Sequence, residues 1–200
     1  MVEITENGKK ALKLIFTDFL TSYNSNNIRD KLSLSNAGSL KLLRNLYGKQ
    51  LLVREKMGNA IFYNPNLKNP YLIKLLELIF LDNSDESNFI MGWVYDFQSL
   101  TPKAKAILLF GSIIKKGKGA QDVDVCIILK KHDDYKLLQS LINIMNDQNK
   151  LKIHPLYLTQ EDLEKKLREK DKPMVEIVKN CIIVHGSEVF VEVLKNVQSK

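Results

Sequence analysis

Four residues in the stretch AILLFGSIIKKGKGAQDVDVCIIL have the types and spacing to do chemistry: Gly111, Ser112, Asp122 and Asp124. Asp122 and Asp124 stand two apart at the head of the apolar run VDVCIIL, which reads as a strand. Side chains two apart on a strand point to the same side, so both carboxylates can grip one hard divalent cation, Mg²⁺ or Mn²⁺. Gly111 and Ser112 follow the apolar run AILLF and precede SIIKK, where a strand gives way to a helix start. A glycine there lets a phosphate approach the backbone, and a serine hydroxyl and amide at a helix start can donate to it. Lys115, Lys116 and Lys118 add positive charge beside that turn. A cation bridging the carboxylates and a nucleotide's phosphates would orient an in-line attack on the α-phosphorus and neutralise its charge. The expected chemistry is phosphoryl transfer, with a nucleoside triphosphate, ATP foremost, as substrate or ligand.

These residues need a sheet to hold them. Beyond Pro102 the chain reads as strand, helix, strand: AILLF, GSIIKK, VDVCIIL, a helix from Asp133 to about Asn149, then LKIHPLYL. Thr159 and Asp162 have the spacing of an N-terminal capping pair for a helix reaching Lys170. Pro173 reads as punctuation, CIIV as a last short strand, and Ser187 as the cap of a closing helix from Glu188 to Asn196. Strands alternating with helices predict an α/β domain over residues 101–200. The polar cluster DNSDESN, Asp82 to Asn88, reads as a hinge, and residues 83–100 as a linker and connecting helix with Trp93 and Phe97 expected in an interdomain core.

The order strand, Gly-Ser, about ten residues, then Asp-x-Asp heading an apolar strand resembles the minimal nucleotidyltransferases of the DNA polymerase β superfamily. The resemblance covers roughly residues 101–190, including LYLTQEDLEKKL and KNCIIVHGSE, which are similar to the terminal segment of those domains. It implies that Gly111 and Ser112 hold the triphosphate and that Asp122 and Asp124 bind metal. Lys115 and Lys116 are not fixed motif positions but can meet phosphate charge. Members of the superfamily supply a third carboxylate from the strand after the long helix. Here that strand, Leu151 to Leu158, has no acid, and His154 is its closest functional substitute. A neutral imidazole can bind metal or accept a proton, and both roles stay open. So do two functions: an active transferase, or a degenerate domain that senses nucleotide without turnover.

Residues 1–82 read differently, as helices with one hairpin. Ala11, Leu12, Ile15, Phe16, Phe19 and Leu20 give amphipathic spacing to a helix from Thr5 to Tyr23. A short helix, Ile28 to Leu32, a polar turn and a helix from Ala37 to Tyr47 follow. LLVREK and AIFYN then read as strands joined around Gly58, and Pro70 opens another helix, PYLIKLLELIFL. Ile28 to Tyr63 carries seven Lys or Arg against two acids, a local net of +5. This order resembles the winged helix-turn-helix family, whose second helix enters the major groove while a hairpin wing touches the flanking backbone. The resemblance implies that Asn36, Ser39, Lys41, Arg44 and Asn45 face base edges of duplex DNA, and that Arg54 and Lys56 on the wing meet phosphate. Where such domains often close the helix with Gly, this chain has Gln50. The same module could instead serve only to dimerise or to dock a partner.

Composition sets the frame. Of 200 residues, 44% are hydrophobic and 26% charged, the balance of a globular protein, which excludes collagen, coiled-coil rods and disordered chains. The net charge of +7 favours polyanions. No apolar run approaches the roughly 18 residues of a membrane helix, and MVEITENGKK lacks the order of a signal peptide, so a cytoplasmic location and no membrane partner are expected. Cys126 and Cys181 lie in apolar runs and read as buried thiols. The helices at 5–23 and 70–81 hold more apolar surface than a small domain absorbs, Leu20 and Leu78 included, which predicts a homodimer. Some small members of the nucleotidyltransferase superfamily are antitoxins that adenylylate a HEPN-domain toxin, so the resemblance implies such a protein as a partner.

Overall fold

The computed structural model describes residues 4–199, a mixed α and β chain with two open sheets. It divides into two compact units, one ending at Ile79 and the other starting at Phe80. Among the described residues no helix is long and apolar enough to cross a membrane.

The first unit runs α1 (Glu6–Thr17), α2 (Ser25–Leu32), α3 (Asn36–Gly48), β1 (Leu52–Met57), β2 (Ala60–Pro65) and the greater part of α4 (Pro70–Leu81). Thr5 caps α1 by accepting from the amide of Gly8. α1 stops at Asp18, not at Tyr23, because Tyr23 is drawn away into a bridge with Tyr63. Its hydroxyl donates to Asp18 Oδ2 at 2.7 Å and its ring is fully buried. α2 begins three residues earlier than expected, since Asn24 and Asn27 form a reciprocal capping box across its first turn. Ile28, Leu43 and Leu46 pack inside. β1 and β2 pair antiparallel from Leu52 with Pro65 to Met57 with Ala60, and Gly58 turns the hairpin at φ +60°. Of the apolar side chains expected to exceed what this unit can bury, Phe16 is buried while Leu20 and Leu78 stay 47% and 64% exposed.

The second unit holds α5 (Asn88–Asp96) with a 3-10 turn (Phe97–Leu100), β3 (Ala104–Phe110), α6 (Ser112–Lys116), β4 (Asp122–Leu129), α7 (Asp134–Gln148), β5 (Lys152–Leu158), α8 (Gln160–Arg168), α9 (Lys172–Lys179), β6 (Ile182–His185) and α10 (Ser187–Gln198). The segment expected as a hinge is a hydrogen-bonded loop of this unit: Asn83 Nδ2 donates to Ile183 O, and Ser87 caps α5. Trp93 and Phe97 belong to this unit's own core and not to an interdomain one. α9 was not expected. Pro173 sits in its first turn, where a missing N–H costs nothing, and Asp171 caps it.

The strands order β5-β4-β3-β6, with β4 and β5 parallel and the other pairs antiparallel. Parallel pairing requires a crossover, and α7 provides it. Val123, Val125, Ile127 and Leu129 of β4 point to one face, against Trp93, Phe97, Leu138 and Ile142. Leu108, Cys126, Ile128 and Ile183 on the opposite face are equally buried, and α8 and α10 run against β5 and β3. Both faces are therefore covered, and burial pushes the Cys126 thiol up to about 12. Cys126 and Cys181 are both buried thiols.

Candidate metal and phosphate site

β4 is fixed through Val123 and Val125, both fully buried, so the residues that alternate with them must face the other way. Asp122 and Asp124 thus share one face at the start of the strand, each half-buried. β5 lies alongside in register, Asp122 opposite Lys152 and Asp124 opposite His154. Partners in a parallel pair share a face, so His154 joins the carboxylates. Ligating atoms of all three residues lie within 4.8 Å of one another. The imidazole Nδ1 is 3.9 Å from Asp122 Oδ2, and the ring is 63% exposed.

The turn after β3 holds this arrangement. Ser112 Oγ donates to Asp122 Oδ1 at 3.0 Å. A hydroxyl has one proton to give, so Ser112 here positions a carboxylate. Gly111 has φ +83° and ψ −152°, and a Cβ built on it would overlap Asp124 Oδ2. Asp124 needs that glycine. α6 is only five residues long, so no extended helix dipole backs the turn.

The electrostatics are unbalanced. Among the described residues no lysine or arginine pairs with Asp122 or Asp124. Lys152, the register partner of Asp122, donates instead to Asn146 O at 3.0 Å. Burial and then the charge of Asp122 raise the pKa of Asp124 above the usual carboxylate value, with His154 opposing them. Two carboxylates with no lysine or arginine paired to them, aligned with an imidazole, suit a divalent ion.

Beside the cluster opens a cleft of about 310 Å³, lined by Phe110, Gly111, Ser112, Lys115 and Lys116, by Glu176 and Ile177 of α9, and by Asn180, which caps that helix. Lys118 is exposed in a 3-10 turn and does not line it. The α9 residues escaped sequence reasoning because the helix itself did. Asn180 Nδ2 donates to the Glu176 backbone carbonyl and to its carboxylate, both at 3.1 Å.

Comparison with protein-family models, curated proteins and solved structures finds no match to this chain. The assignment of a role rests on geometry.

In the first unit, Asn36, Lys41, Arg44, Asn45, Arg54 and Lys56 are exposed. Ser39 is not: it is 1% exposed, its hydroxyl donating to Asn36 O, and it cannot read a base. Ser39, Leu43 and Leu46 follow an i, i+4, i+7 spacing, which was the sequence signal for an inward face. Asn36 Oδ1 accepts from Arg29 at 2.8 Å. Lys56 lines neither of the two clefts between which the remaining four divide. Arg44 and Arg54 line one of about 350 Å³ with Asn24, Tyr47 and Ile61, and the Arg54 guanidinium stacks 4.7 Å from the Tyr47 ring centroid. Lys41 and Asn45 line another of about 550 Å³ with Thr5, Leu34 and Lys49.

Proposed function

We propose that the second unit is a metal-dependent nucleotidyltransferase domain of the minimal kind, and that the first is a winged helix-turn-helix that binds duplex DNA. The observation that carries the reading is the convergence of Asp122, Asp124 and His154 on one end of the sheet, beside a Gly-Ser turn and a lysine-lined cleft. The residues fit a divalent cation, because two carboxylates without a lysine or arginine partner and an imidazole put ligating atoms within 4.8 Å of one another. Such a cation supplies charge neutralisation for the phosphates of a bound nucleotide.

The chain's own groups do the rest. Val123 and Val125 anchor the strand that presents both carboxylates. Ser112 fixes the orientation of Asp122, and Gly111 leaves Asp124 the space it occupies. Lys115 and Lys116 place positive charge in the cleft for the triphosphate. In the transfer itself an acceptor hydroxyl or amine bonds to the α-phosphorus. The bond to the bridging oxygen breaks, pyrophosphate leaves and the acceptor's proton passes to water. A HEPN-domain protein is one acceptor this reading admits.

A second reading draws on the absence of a third acid beside Asp124: a DNA-binding regulator whose second unit binds nucleotide without turnover. One experiment serves both. Calorimetry of the full chain with ATP and Mg²⁺ or Mn²⁺, wild type against Asp124→Asn, is expected to show cation-dependent binding that the substitution abolishes. Equal affinity in the two proteins overturns both readings. Release of pyrophosphate from ATP then separates transferase from sensor.

A further inference from the structure

We propose that His154 is a ligand of the cation and that it tunes the site to a transition-metal ion such as Mn²⁺ in preference to Mg²⁺. The inference rests on the metal-dependent reading above and goes further by naming the ion class. Three observations carry it. β5 pairs with β4 so that His154 stands directly opposite Asp124, on the carboxylate face. The imidazole Nδ1 lies 3.9 Å from Asp122 Oδ2, and a ring nitrogen stands within 4.8 Å of a carboxylate oxygen of each acid. The lysine on the adjoining register position is engaged elsewhere, on Asn146 O, and leaves the gap to a cation.

The chemistry follows from the donor set. Mg²⁺ is small and hard, prefers oxygen ligands and sheds water reluctantly. Imidazole nitrogen is a borderline donor, favoured by first-row transition ions. A third carboxylate in place of His154 would add charge and oxygen, which helps Mg²⁺ most. An imidazole there adds neither charge nor oxygen, so it contributes to binding through its nitrogen. The side chain is mostly exposed on an edge strand, so substitutions at 154 leave the core untouched.

The test measures cation binding by the full chain, without turnover. Mn²⁺ affinity is read from the free-ion electron paramagnetic resonance signal and Mg²⁺ affinity by competition, for wild type, His154→Asp and His154→Ala. His154→Asp is expected to lower the Mn²⁺ over Mg²⁺ affinity ratio by about tenfold, mainly through tighter Mg²⁺ binding. Pulsed resonance on bound Mn²⁺ is expected to show a nitrogen coupling in the wild type that both variants lose. An unchanged ratio, or no nitrogen coupling in the wild type, overturns the proposal. If Mn²⁺ binding depends on Asp124 while the 154 variants change nothing, this inference falls and the functional reading stands. If neither cation binds, both fall.

Discussion

Replacing Gly111 by alanine tests the geometry of the site most directly. The residue sits at φ +83°, ψ −152°, a region that only glycine occupies without strain, and forcing a side chain there costs about 1–3 kcal/mol. The added Cβ also meets Asp124, whose carboxylate must swing away, at about 0.5–1.5 kcal/mol for a rotamer pushed off its minimum. Together the loss is about 1.5–4.5 kcal/mol, a large share of a domain's stability. Gly117 supplies the control. It too has positive φ, +52°, but a Cβ there would meet nothing within 4 Å, so Gly117→Ala carries the backbone cost alone. The chain's one tryptophan, Trp93, is buried in the second unit's core, and its fluorescence in urea reports the unfolding of that unit. Gly111→Ala is expected to destabilise more than Gly117→Ala and also to abolish Mn²⁺ binding, which Gly117→Ala leaves intact. In an Asp124→Gly background the overlap has no partner, and the excess should vanish, a coupling of about 1 kcal/mol. If Gly111→Ala costs no more than Gly117→Ala and still binds the cation, the account of this turn is wrong.

A pH titration of the cation-free protein checks the electrostatics. The folded state raises the pKa of Asp124, so it binds more protons than the unfolded chain between the two pKa values, and stability falls as pH rises through that window. Asp124→Asn cannot ionise. At pH 7 without cation it is expected to melt higher than wild type, with the gap closing as pH falls through the raised value and gone below about 4; a variant that melts lower at pH 7 contradicts the reasoning. Mn²⁺ at 100 times its dissociation constant should stabilise the wild type by about 2.7 kcal/mol and leave the variant unmoved. For the first unit, Arg54→Ala with Lys56→Ala is expected to weaken duplex binding by the full chain and to reduce its log–log salt slope by about 2, one for each phosphate that a wing side chain no longer neutralises. An unchanged slope in a fluorescence-anisotropy titration would remove both residues from the interface.

Much of the second unit was legible because its strands are buried on both faces and read as unbroken apolar runs, as Ala104–Phe110 and Asp122–Leu129 do. The pairing of Asp122 with Asp124 also followed from strand periodicity alone. The place of His154 did not. KIHPLYL alternates too weakly to fix its register, and a slip of one residue would have set Ile153 or Pro155 beside Asp124. α9 was lost by treating a proline as an end when it was a beginning. α1 was drawn too long because Leu20 and Tyr23 continue its apolar spacing, although a distant contact with Tyr63 decides where Tyr23 goes. Gln50, which stands where glycine is usual, does occupy a left-handed position, φ +58°. Asn66 and Asn69 both donate side-chain amides to its carbonyl and hold the turn that glycine would otherwise adopt freely.

The strongest reason to read Asp122 and Asp124 as functional is how the same fold treats Asp134. That carboxylate is more deeply buried, 8% exposed, yet it is satisfied on both sides: Lys103 Nζ lies 3.1 Å from one oxygen and the amide of Lys131 donates to the other. Asp162 is likewise used, closing the cap of α8 with Thr159, and hydrogen bonds to Thr159 hold its pKa below the usual carboxylate range. The sequence therefore contains the means to neutralise or bond its acids, and applies them where an acid is structural. At the head of β4 it instead sets two carboxylates side by side, turns the lysine in register with Asp122 to a backbone carbonyl and puts glycine where any side chain would overlap Asp124. The charge of Asp122 raises the pKa of Asp124, and none of these arrangements neutralises the two acids. Their coincidence at one end of one sheet is what a binding site for positive charge requires and what a structural corner does not.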